Sequence, residues 1–219
     1  MRIQDYIDHT LLNPTATVAD IKKLCKEAIQ YQFKAVCVNG CHVTLAKNEL
    51  KGSTVKLAAV IGFPLGGMSA RAKIFEARDC IENGADEVDM VINIGWLKSG
   101  LDEQVRDEIF QIKQELGDKT LKVILENCYL SDKEIEKACK LAVSAGADFV
   151  KTSTGFGSGG ATFKDIALMK EAVGDSALVK ASGGIRDRET ALKYIEMGVS
   201  RIGTSSGPKL MGDSPKSSL

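Results

Sequence analysis

The chain has 219 residues, and its 29 lysines and arginines match its 29 aspartates and glutamates, for a formal net charge of zero. That balance speaks against a nucleic-acid partner, which would normally call for a basic excess, and no apolar run approaches the ~18 residues of a membrane span. With no signal-peptide pattern at the N-terminus, a cytoplasmic protein with no membrane partner is expected. Two histidines, His9 and His42, argue against a Ser-His-Asp triad and most His-rich metal sites. Six cysteines without a CxxC pair read as reduced thiols. The run Cys37–His42 matches no common zinc spacing and no second cluster completes four ligands, so no metal or other cofactor is expected.

In chain order, short apolar and β-branched runs predict strands at Tyr6–His9, Lys34–Val38, Lys56–Gly62, Glu87–Ile92, Lys122–Glu126, Phe149–Thr152, Leu178–Ala181 and Arg201–Thr204. The stretches between them have helical periodicity. Leu101, Val105, Ile109, Ile112 and Leu116 share one face of such a helix. Three helix starts have a capping-box pattern: Thr17 with Asp20, Ser131 with Glu134, and Thr162 with Asp165. A weak repeat reads NGADEVD at Asn83–Asp89, AGADFVK at Ala145–Lys151 and MGVSRIG at Met197–Gly203. Its glycines, Gly84, Gly146 and Gly198, suit left-handed helix C-caps, and each unit then enters a strand. If the units are equivalent, Asp89, Lys151 and Gly203 sit at similar depth. Eight βα units predict a single-domain (β/α)₈ TIM barrel over residues 1–219, with a short irregular tail at about 208–219; an open doubly wound sheet is the alternative.

Parallel strands are covered on both faces, so charges in their middles are costly unless paired or functional. Asp89, Lys151 and Lys180 break the apolar pattern in this way, and Gly/Ser/Thr-rich loops follow the two lysines. A lysine is a nucleophile only as the free amine, and burial or a second cation lowers its pKa. Two converging lysines therefore point to Schiff-base chemistry, with one attacking a carbonyl, the other staying charged, and Asp89 moving protons. Ser182-Gly183-Gly184 and Thr204-Ser205-Ser206-Gly207 follow the seventh and eighth strands, where barrels hold phosphate. Gly155–Gly160 matches G-x-G-x-x-G but lacks the acidic residue of a dinucleotide site, and reads as a mobile loop over the site. Asp8 and Thr10 are candidates to face the mouth, and Cys37 is placed at the mouth of the second strand.

The segments YIDHTLL, VIGFPLG, GADEVDMVINIG, KVILE, AGADFVKTSTGF, VKASGGIR and RIGTSS together resemble the deoxyribose-phosphate aldolase family, from Asp8 to about Gly207. The resemblance implies a metal-free class I aldolase that reversibly cleaves 2-deoxy-D-ribose 5-phosphate to acetaldehyde and D-glyceraldehyde 3-phosphate. It implies Lys151 as the Schiff-base lysine, Lys180 as the second lysine and Asp89 as the proton-transfer residue. Substrate would be held around Gly183, Gly184, Ser205 and Ser206, with Gly155 nearby and with Asp8, Thr10 and Cys37 as further contacts. A homodimer or homotetramer is implied as well. The chain departs from the pattern of some members in three places. It has Phe156 where they carry lysine, it ends KSSL without a terminal tyrosine, and it has Asn127 where threonine is common. Another Schiff-base lyase and a non-catalytic phosphosugar-binding barrel are the competing readings.

Overall fold

A computed structural model describes residues 2–212. Eight parallel strands close in sequence order: β1 (Ile7–Leu11), β2 (Ala35–Asn39), β3 (Lys56–Ile61), β4 (Glu87–Val91), β5 (Thr120–Ile124), β6 (Phe149–Lys151), β7 (Leu178–Ser182) and β8 (Arg201–Thr204). β8 pairs back onto β1 through Ile7–Ile202, Asp8–Gly203 and His9–Thr204, so no strand edge is left open. This is the expected TIM barrel rather than an open sheet. The helices are α1 (Val18–Tyr31), α2 (Val43–Glu49), α3 (Ala70–Glu82), α4 (Ile94–Lys98), α5 (Asp102–Leu116), α6 (Asp132–Ser144), α7 (Phe163–Val173), α8 (Arg188–Glu196) and α9 (Gly207–Leu210).

Local chemistry sets many of these boundaries. The Thr17–Asp20 and Ser131–Glu134 capping boxes form in full at the starts of α1 and α6. At α7 only half of the box forms, with Thr162 accepting the Asp165 amide. Gly84, Gly146 and Gly198 all have positive φ (108°, 83° and 87°), as the repeat anticipates. The irregular tail begins later than expected. Gly207–Leu210 is helical and Leu210 is buried, while residues 213–219 lie outside the described residues.

Strand alternation divides the barrel into two cores. Val36, Val38, Leu57, Ala59, Val88, Met90, Leu121, Val123, Val150, Val179 and Ile202 face outward into the layer under the helices. Inside, Cys37, Ala58 and Val60 from β2 and β3 join Leu12 and Phe63 in a small apolar wall. On the other strands the inward face carries charge, with Asp8 on β1, Glu87 and Asp89 on β4, Lys122 on β5, Lys151 on β6, Lys180 on β7 and Arg201 on β8.

One expected boundary moved with consequences. β5 was expected over Lys122–Glu126 but runs over Thr120–Ile124. The two-residue shift moves Lys122 from a strand end to a strand middle and leaves Glu126 beyond the strand.

Candidate active site

Seven charged side chains fill the inside of the barrel. Asp89 Oδ2 accepts from Lys151 Nζ at 2.8 Å and from Lys180 Nζ at 2.9 Å, while Asp89 Oδ1 accepts from Lys122 Nζ at 2.7 Å. Lys122 also lies 2.6 Å from Glu87 Oε2. Asp8 accepts from Lys180 and from Arg201, and Arg201 donates on to Glu87 at 2.7 Å. All seven side chains are buried. Lys151 and Lys180 meet because β6 and β7 pair them directly, and Asp89 reaches them from across the barrel.

Four cations face three carboxylates. Fully ionised, the cluster carries a single positive charge in a place where water cannot screen it, and losing one proton makes it neutral. The surroundings select which lysine loses it. Burial disfavours the Lys151 ammonium, and with nearby Lys180 it outweighs the attraction of Asp89, so the Lys151 pKa falls below the ordinary 10.5. Burial acts on Lys180 too, but Asp8 and Asp89 outweigh it and hold its pKa above the ordinary value. Lys122 is likewise raised, because Asp89, Glu87 and Asp8 outweigh its burial and the repulsion of Lys180. Burial pushes the Asp89 carboxyl up, yet Lys122, Lys151 and Lys180 bring it well below the usual carboxylate range.

A cavity of about 470 Å³ opens at the C-terminal ends of the strands. Lys151 is the one member of the charged cluster among its lining residues. The lysine with the lowered pKa is thus also the lysine a ligand can reach. Thr10, Gly155, Gly183, Gly184 and Ser205 line the cavity as expected, together with Thr154, Phe156 and Arg186. Ser206 follows Ser205 outside the lining, its amide donating to Thr204 Oγ1 at 2.9 Å. The loop of Gly155–Gly160 rests against the loop after β7. A Cβ on Gly160 would lie 2.2 Å from the Gly183 carbonyl oxygen, so only glycine permits this approach.

Two expected contacts are corrected. Cys37 is not at an accessible mouth. It is fully buried in the apolar wall, and burial pushes its thiol up to about 11. Asp8 does not face the cavity, and its carboxylate is spent on Lys180 and Arg201. In both cases the strand runs further than the sequence pattern shows, so its inward residues sit deeper. Sequence reading missed Lys122, Glu87, Arg201 and Arg186. The alternation Leu121-Lys122-Val123-Ile124 did hold a signal for Lys122, once the strand is begun at Thr120.

A family model described as DeoC/LacD family aldolase matches residues 3–212. The chain belongs to the DeoC/LacD aldolase family. A deoxyribose-phosphate aldolase from Finegoldia magna is 55% identical over 211 residues, covering 96% of this chain and 99% of that protein. One from Thermococcus gammatolerans is 57% identical over 216 residues, covering 96% of each chain. Among solved structures, the tetrameric deoxyribose phosphate aldolase of Aeropyrum pernix superposes with a TM-score of 0.87 at 33% identity, over 96% of this chain and 89% of that one. The buried charge cluster described above therefore belongs to a family aldolase.

Proposed function

We propose that this family aldolase reversibly cleaves 2-deoxy-D-ribose 5-phosphate to acetaldehyde and D-glyceraldehyde 3-phosphate through a Schiff base on Lys151. The observation that carries the reading is the pairing of lowered basicity and cavity access in one lysine. The relatives that share the name and more than half of their residues support the choice of substrate.

The free Lys151 amine adds to the C1 aldehyde of the open sugar to give a carbinolamine, which loses water to form an iminium. Loss of the C3 hydroxyl proton breaks the C2–C3 bond, and its electron pair flows into the iminium to form an enamine. Glyceraldehyde 3-phosphate leaves, the enamine takes a proton at carbon, and water releases acetaldehyde. Asp89, held as a carboxylate, offsets the iminium charge and accepts protons. Lys180 retains its proton, depresses the basicity of Lys151 and, sharing Asp89 Oδ2 with it, serves as a proton donor to the nascent intermediates. The backbone at Gly183 and Gly184, with φ of 88° and 80°, joins Ser205 and Arg186 in holding the phosphate.

We read the protein as a cytoplasmic homo-oligomer, dimer or tetramer. The tetrameric Aeropyrum relative supports the oligomer, as do exposed Phe75 on α3 and Phe110 on the neighbouring α5. Among the described residues, no helix is long and apolar enough to cross a membrane.

The deciding experiment incubates the protein with acetaldehyde and borohydride and locates the adduct by peptide mapping. An N-ethyl group on Lys151, and loss of both adduct and turnover in Lys151→Ala, is the expected result. An unmodified Lys151 alongside full turnover would remove the proposal.

A further inference from the structure

Two of the charges inside the barrel touch neither Lys151 nor the cavity. Arg201 and Glu87 are 6% and 5% exposed, and neither lines the opening above Lys151. Each is the first residue of its strand, β8 and β4, at the end of the barrel opposite the cavity. Arg201 lies there over the Phe149 ring, 5.7 Å from its centroid. A buried ion pair adds little net stability, and apolar residues of the same volume often serve as well.

The contacts of this pair point to another use. Arg201 forks between two carboxylates, donating to Asp8 Oδ1 and, at 2.7 Å, to Glu87 Oε1. Asp8 Oδ2 accepts in turn from Lys180, and Glu87 Oε2 lies 2.6 Å from Lys122 Nζ. Lys180 and Lys122 both donate to Asp89, which also holds Lys151. Two routes of alternating charge therefore join Arg201 to Lys151, one through Asp8 and Lys180 and one through Glu87 and Lys122. Lys180 and Lys122 each pair with at least two carboxylates, whereas among the described residues Lys151 pairs with Asp89 alone. The other groups nearby add no charge to the count. Cys37 on β2 is a thiol that burial pushes up to about 11, and Glu126 beyond β5 is turned onto Thr154, accepting from its amide at 3.1 Å and from its hydroxyl.

We propose, on the aldolase reading, that Arg201 and Glu87 are positioning residues matched in charge, which keep the cluster one positive charge in surplus so that Lys151 is the member that gives up its proton. The sum decides, more than either partner. Without Arg201, three cations face three carboxylates, and that balance is met with Lys151 protonated. Without the Glu87 charge, four cations face two carboxylates, and the Lys151 proton leaves more easily. Without both, the surplus of one is restored.

The test measures kcat/KM for 2-deoxyribose 5-phosphate cleavage against pH in the parent, Arg201→Met, Arg201→Lys, Glu87→Gln and Arg201→Met/Glu87→Gln. Borohydride trapping of acetaldehyde on Lys151 is followed in parallel. Lys151 acts as the free amine, so a rise in its pKa moves the acid limb to higher pH. Strand register pairs Lys151 with Lys180 and Lys180 with Arg201. Two strand spacings of ~4.8 Å set the two charges about 10 Å apart, and at an effective dielectric of ~20 a unit charge at that distance changes the free-amine share about tenfold, or about one pH unit. Arg201→Met is expected to move the limb up by that much and Glu87→Gln to move it down. The double variant returns it to the parent's position, and Arg201→Lys, which keeps the charge without the fork, leaves it in place. An Arg201→Met limb at the parent's position, an equal shift in Arg201→Lys, or a double variant that stays with Arg201→Met overturns the inference. If Arg201→Met does not fold, Glu87→Gln and the double variant decide, and an unmoved limb in Glu87→Gln overturns it. Trapping on Lys151 in the parent with no shift in any variant sinks this inference alone, whereas absence of trapping in the parent sinks the aldolase reading as well.

Discussion

Replacing Lys180 with methionine tests the charge argument directly. Lys151 and Lys180 donate to the same oxygen, Asp89 Oδ2, at 2.8 and 2.9 Å. Their charges therefore lie within about 6 Å of each other, and two unit charges ~5 Å apart at an effective dielectric of ~20 repel by about 3 kcal/mol. At 1.36 kcal/mol per tenfold, that repulsion raises the share of free Lys151 amine about 100-fold. Methionine keeps the length of the side chain and removes its charge. In the parent cluster, neutrality is reached when Lys151 loses its proton. In Lys180→Met it is reached with Lys151 protonated, so the pKa of Lys151 rises. The assay is the pH profile of kcat/KM for 2-deoxyribose 5-phosphate cleavage, whose acid limb reports the free enzyme. That limb is expected to move to higher pH. The deficit is about 100-fold at neutral pH and narrows as the solution becomes more alkaline. A deficit of the same size at every pH would refute the reasoning and leave Lys180 acting only as a proton carrier.

Two further substitutions test the scaffold. Gly160→Ala would drive a methyl group to 2.2 Å from the Gly183 carbonyl oxygen and push the two loops apart. KM for the phosphorylated sugar is expected to rise about tenfold while acetaldehyde trapping on Lys151 persists, and an unchanged KM would separate the loop contact from phosphate binding. Outside the barrel, Lys73 on α3 donates to Glu108 on α5 at 2.9 Å and to the Val91 carbonyl at 2.8 Å, with both side chains fully buried. Lys73→Met leaves a buried carboxylate unpaired and should cost about 3–5 kcal/mol in urea unfolding, most of it recovered in Lys73→Met/Glu108→Leu. A double variant no more stable than the single would contradict this.

The linear pattern was enough to announce the barrel and to pick out three of the charges buried inside it. Eight β-branched runs at βα spacing, glycine C-caps at Gly84, Gly146 and Gly198, and two complete capping boxes are local features, set by backbone conformation and near-neighbour hydrogen bonds. Asp89, Lys151 and Lys180 were legible for a related reason: a charge in a strand that is covered on both faces contradicts its surroundings. The tertiary structure alone decided how those charges are shared. Strand register placed Lys122 between Glu87 and Asp89, drew Asp8 to Lys180 and Arg201, and set four cations against three carboxylates. It also decided that only Lys151 of that cluster reaches the cavity, that Cys37 is sealed in an apolar wall, and that Glu126 grips Thr154. These pairings join residues far apart in the chain, and a proton's preferred site depends on the sum of charges around it. No local stretch of sequence contains that sum, so it exists only once the barrel has closed.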